Sequence, residues 1–132
     1  MKIKKYCGRE RLPGGERRWR RLAKAAGFDG TLQVFGWGVR GEPGREQRAA
    51  YRKERGATIA DYEPGLIRVW LQCECAATDF YDEDELTSQY VLAAFAHELG
   101  HHRQYLLSRE RWTPQADAVA ERYGRALLGR VL

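Results

Sequence analysis

The chain is poor in the residues that usually brace or anchor a small protein. Its three cysteines, Cys7, Cys73 and Cys75, are odd in number and follow no framework spacing, which points to reduced thiols in a reducing compartment rather than a disulfide scaffold. No apolar run approaches the ~18 to 20 residues of a membrane span, and the start "MKIKKYCGRERLPGG" has basic residues but no apolar stretch of a secretory signal. These absences lead us to expect a cytoplasmic protein with no membrane contact. At 132 residues one domain is expected, able to bury roughly two thirds of its unfolded surface, so a hydrophobic core suffices to hold it.

Acidic residues are scarce at one end. Residues 1 to 25 hold ten Lys and Arg against two Glu, a local balance of +8 that leaves −3 for the rest of a chain whose net charge is +5. Such an end can meet nucleic acid or an acidic partner. It has no base-reading motif, and its aromatics (Tyr6, Trp19) are too few for a single-strand stacking platform. A solvated basic helix carrying Arg17, Arg18, Arg20 and Arg21 is therefore the preferred reading, with nucleic acid second.

The elements follow from periodicity. "ERRWRRLAKAA" places Trp19, Leu22, Ala23 and Ala26 on one face, predicting a helix from Glu16 to Ala26 that stops at Gly27. "TLQVFGW" (Thr31 to Trp37), "ATIADY" and "LIRVWLQC" (Leu66 to Cys73) read as strands, the last two joined by a Glu63-Pro64-Gly65 turn. Residues 38 to 56, glycine-rich and basic, read as a loop, and 1 to 15 as a flexible basic arm. A helix is expected from Glu83 to Leu107 after the acidic "DFYDEDE", whose acids favour a helix N-terminus, and another over 114 to 131 with Thr113 as N-cap and Pro114 at its first position. The fold class is α+β: an N-terminal helix, a small sheet of about three strands and a C-terminal helix pair.

All three histidines fall within "FAHELGHHRQ". His97-Glu98-Leu99-Gly100-His101 fits HExxH, and at 3.6 residues per turn His97 and His101 project from one helix face, able to offer ring nitrogens to one ion. Zinc held this way keeps an open position for a water of lowered pKa, and Glu98, turned about 100° from His97, can flank that water as general base. His102 points away from that face. Tyr105, Tyr123 and His102 can donate to an oxyanion, but each reads first as a packing or surface residue.

No fourth histidine exists, so a carboxylate or a cysteine must complete the set. Asp117 and Glu121 lie one turn apart on the final helix, and matching levels along an antiparallel helix pair at ~1.5 Å per residue favours Glu121. Cys73 and Cys75 with His97 and His101 make the alternative, a structural zinc site, although C-x-C is tighter than the usual spacing.

In "HELGH" with "DAVAERYGRALL" the chain resembles the zincin metallopeptidases, and within them the gluzincins, whose HExxH is completed by a glutamate on a following helix. The likeness covers Leu86 to Leu128. In size and element order it is similar to minigluzincins and to the small ImmA/IrrE-like metallopeptidases, though it lacks the "EAN" signature of the latter. The resemblance implies a minimal zincin fold and one Zn2+ held by His97, His101 and Glu121, with Asp117 orienting a ligand histidine. An HtpX-like alignment exchanges those two acids. It also implies hydrolysis of a peptide or protein substrate by a monomer, with Leu66, Ile67, Arg68, Val69 and Trp70 as the edge strand that binds substrate backbone. An inactive zincin serving as a binding or regulatory module stands beside this expectation.

Overall fold

The computed structural model describes residues 1–6, 12, 14–35, 59–70, 85–108 and 114–132. They form strands β1 (Lys2–Tyr6), β2 (Thr31–Phe35), β3 (Ile59–Glu63) and β4 (Leu66–Trp70), and helices α1 (Glu16–Ala25), α2 (Glu85–Ser108) and α3 (Pro114–Val131). The fold is α+β, and its sheet has four strands in the order β1-β2-β4-β3. β1, β2 and β4 run parallel, whereas β3 pairs antiparallel with β4 across the expected Pro64-Gly65 turn.

Two sequence expectations change here. The supposed basic arm contains β1, in register with β2 from Lys2 opposite Thr31 to Tyr6 opposite Phe35. Its alternation is hard to see because Ile3 is the one aliphatic residue in "KIKKY": Ile3 packs on the core while Lys2 and Lys4 stay exposed. The second correction concerns β4, expected at the edge. It is hydrogen-bonded to β2 on one side and β3 on the other, so Leu66 to Trp70 have no free edge for a peptide, and Ile67 and Val69 are fully buried. Among the described residues, β1 and β3 are the edges.

One sheet face is apolar and carries the helices. Leu32 and Val34 of β2 and Ile67 and Val69 of β4 join Trp19, Leu22, Phe95, Leu99 and Leu127 in a single core. Trp19 and Phe95 stack with ring centroids 4.9 Å apart, tying α1 to α2. α1 buries Trp19, Leu22 and Ala23 and ends in a Schellman motif: the Phe28 amide donates to the Ala23 carbonyl (2.9 Å) and that of Gly27 to Lys24 (3.1 Å), with Gly27 at φ +70°. This turn seats Phe28 in the core and aims the Gly27 carbonyl at α2.

α2 is the central helix, touching α1, α3, β3 and β4. Its approach to α3 is set by two glycines. A Cβ on Gly100 would lie 2.5 Å from the Ala120 carbonyl oxygen, and one on Gly124 would lie 2.9 Å from the Ala96 backbone. Each glycine thus admits the other helix at backbone distance, one turn apart, and the side chains flanking this seam converge. His97 and His101 flank it on α2, and Asp117 and Glu121 on α3.

Candidate metal centre

Four nitrogen–oxygen contacts surround His97 and His101, three of them joining α2 to α3 and one lying within α2. His97 Nδ1 lies 2.6 Å from Glu121 Oε2, and its Nε2 lies 2.8 Å from Asp117 Oδ1. His101 Nε2 lies 3.2 Å from the same Asp117 oxygen, and its Nδ1 lies 3.2 Å from Gln104 Oε1. The Gln104 amide is fixed because its Nε2 donates to the Ala116 carbonyl at 2.8 Å, leaving its oxygen for His101. Both Nδ1 atoms are therefore held by outer oxygens, and both Nε2 atoms converge on Asp117.

Ligand atoms of His97, His101 and Asp117 all lie within 4.8 Å of one another. The structure thus brings together all four residues expected at the metal, but in the reverse arrangement to the preferred one: Asp117 sits between the two Nε2 atoms, and Glu121 takes the outer nitrogen of His97. Level counting ranked Glu121 first, but Asp117 is the acid whose oxygen approaches both Nε2 atoms, while Glu121 contacts Nδ1 of His97. Glu121 is braced by Arg125, whose Nε donates to Oε1 at 3.1 Å.

The charges respond accordingly. Burial opposes protonation of His97, but the hydrogen bonds with Glu121 and Asp117 and the charge of Glu98 outweigh it and raise the imidazole above its usual value. Burial, joined by the neighbouring His97, lowers His101. Asp117 is pushed upward by its partial burial, yet its contacts with both histidines hold it below the ordinary carboxylate value, and Glu121 is lowered chiefly by its hydrogen bond with His97. Glu98 is buried at 7% exposure, and its charge reaches His97. The two acids of α3 remain nearly half exposed, so the cluster opens toward solvent past them.

Two neutral imidazoles carry two N–H protons, yet here four ring nitrogens face oxygen acceptors. The cluster is short of positive charge. Protonation can supply it, and so can one divalent cation among the two Nε2 atoms and Asp117. Two imidazoles, a carboxylate and outer oxygens on both Nδ1 atoms suit zinc in ligand type and in how its histidines are oriented.

Sequence reasoning missed Gln104 and Arg125. Gln104 falls three residues after His101 and seven after His97, a spacing that places it on their face. His102 is, as expected, a packing residue. It is 8% exposed, its Nε2 donates to the Gly27 carbonyl at 3.3 Å, and its Nδ1 therefore accepts from the Tyr62 hydroxyl at 3.0 Å. Tyr105, near Tyr62 at 6.4 Å between ring centroids, is half-buried, and the buried Tyr123 hydroxyl has no hydrogen-bond partner among the described residues. Cys73, Cys75, Thr113 and the segment 38 to 56 lie outside the described residues. No protein-family model, curated protein or solved structure matches the chain.

Proposed function

We propose that the chain is a zinc-dependent metallopeptidase of minimal zincin type, with His97, His101 and Asp117 as metal ligands. The observation that carries this reading is the convergence of two Nε2 atoms on one carboxylate oxygen while both Nδ1 atoms are held from behind. Glu121 and Gln104 orient the ligand histidines, a role in which outer oxygens fix the tautomer and raise ligand basicity.

Zinc bound there supplies a Lewis acid for the scissile carbonyl and lowers the pKa of a bound water toward ~7. Glu98, next to His97 in the chain and shielded from bulk water, would serve as the general base that accepts a proton from the attacking water and returns it to the departing amine. Substrate addition, expected at β4, moves to β3. This antiparallel edge strand packs beside α2, with Tyr62 joined to His102, so a peptide extending the sheet there would run along the helix that carries the ligands.

The test is metal content per chain in wild type, Asp117→Ala, Glu121→Ala and Cys73→Ser/Cys75→Ser, each purified without chelator. Zinc in wild type and its loss in Asp117→Ala supports this reading. Loss only in the cysteine variant makes the site structural, and a wild type that takes up no zinc reduces the cluster to an ion-paired helix seam. Glu98→Gln should then keep zinc and lose peptide hydrolysis by about 10²- to 10⁴-fold. Zinc retention with unchanged hydrolysis would remove Glu98 from the mechanism.

A further inference from the structure

We infer that the outer face of α1 is a docking surface for the phosphate backbone of duplex nucleic acid. Arg17, Arg20, Arg21 and Lys24 are all exposed and follow the i, i+3, i+4, i+7 spacing of a single helix face, opposite the buried Trp19, Leu22 and Ala23. Surface helices usually mix charge signs along such a face, and like charges one turn apart repel. α1 has only Glu16 against five cations, and Glu16 is already held by Arg20 (3.1 Å) and Lys5 (3.3 Å).

The neighbouring element extends the surface. Arg21 Nη2 donates to the Val131 carbonyl at 2.8 Å, which brings the end of α3 that carries exposed Arg130 alongside the stripe. That bond uses one guanidinium nitrogen and leaves the charge in place. The repulsion stored along α1 is relieved when an anionic polymer lies against it.

Among polyanions, the chemistry favours a duplex. From Arg17 to Lys24 the helix rises ~10 Å, a length over which a duplex presents about six phosphate charges. Three of the four cations are arginines, whose planar fork binds phosphate oxygens in pairs. The one aromatic of the helix, Trp19, is fully buried, so the face offers no platform for stacking unpaired bases. Binding of this kind is indifferent to sequence. It is independent of the metal centre, which lies on the seam between α2 and α3.

The experiment titrates the full chain with a fluorescently labelled DNA duplex of mixed sequence at several salt concentrations. Arg20 is engaged by Glu16 and by the Met1 carbonyl (2.6 Å), so the remaining three cations, Arg17, Arg21 and Lys24, predict a slope of log K against log salt of about −2.7. Arg17→Gln/Lys24→Gln, at exposed positions whose loss spares the core, should bring the slope to about −0.9 and weaken binding at least tenfold at low salt. Lys2→Gln/Lys4→Gln removes the same charge from the sheet face turned away from α1 and should change affinity less than twofold. Equal losses in the two variants would reduce the effect to net charge and overturn the proposal. So would absence of duplex binding at low salt, or equal binding to poly-glutamate or anionic vesicles with the same dependence on Arg17 and Lys24. Glu98→Gln and chelator-treated protein should bind duplex as wild type does, which separates this proposal from the peptidase reading.

Discussion

His101 and His102 are neighbours in the chain and nearly equal in burial, yet one helical step of 100° gives them opposite chemistry. On the α3 side, His101 and His97 face more acceptor oxygens than their protons can satisfy. On the sheet side, His102 gives its one proton to the Gly27 carbonyl and receives one from Tyr62, so every bond is matched with no charge required. Burial alone does not tell these two histidines apart. The balance of protons against acceptors does.

The sharpest way to break this comparison is to remove the shared acceptor. Asp117→Ala should reduce bound zinc from about one per chain to near zero, because two histidines alone leave a catalytic-type site one ligand short. His102→Asn, which removes an imidazole from the matched face, should leave zinc content unchanged. Zinc loss in His102→Asn with the fold intact would dissolve the distinction between the two faces. Next in size, Glu121→Ala and Gln104→Ala should each retain a site but weaken zinc affinity by about 10- to 100-fold, as loss of a ligand's outer hydrogen bond does elsewhere. A competition titration with a chromophoric chelator reads both. If Glu121→Ala instead abolishes binding while Asp117→Ala does not, the two acids exchange roles.

The helix seam offers a smaller, structural test. Gly100→Ala drives a methyl into the Ala120 backbone and should cost about 1 to 2 kcal/mol after the gain in helix propensity, lowering the melting temperature by roughly 5 °C. Gly129→Ala meets nothing within 4 Å and should stabilise α3 by about 0.5 to 1 kcal/mol. Thermal melts of the two variants should therefore move in opposite directions. A stabilising Gly100→Ala would mean that the helices are not held at backbone distance.

What the sequence made legible follows the range of each signal. HExxH, the α1 stripe and the Pro64-Gly65 turn are local patterns, and each stands where the spacing put it. β1 was hidden because a strand at a sheet edge needs only one apolar side chain, here Ile3, to seat its inner face. The place of β4 inside the sheet depends on a partner thirty-five residues away, from Leu66 to Thr31, which no periodicity within "LIRVWLQC" records. The choice between Asp117 and Glu121 was illegible for a related reason. Both share a face of one helix, and which of them meets the Nε2 atoms depends on how α3 is set against α2, a tertiary relation that spacing within one helix does not record.

The smallest expected effect tests the matched face alone. Burial lowers His102 below the ordinary histidine value, only partly offset by its bond to the Gly27 carbonyl. Adding a proton at Nδ1 would confront the Tyr62 O–H that now donates there, and burial with the charge of Tyr105 pushes Tyr62 up to about 12, so that hydroxyl keeps its proton at any working pH. The unfolded chain therefore protonates this histidine more readily than the folded one. Stability contributed by His102 is fully present above its unfolded value of ~6.5 and is lost as pH falls through the lower folded value. Denaturant unfolding of zinc-free His97→Gln/His101→Gln protein, with His102 the remaining histidine, should show stability falling as pH drops below ~6.5, and His102→Asn added to that background should flatten the dependence. An unchanged slope would mean that His102 charges as easily in the fold as outside it, and that the sheet face of α2 is no better matched than the metal face.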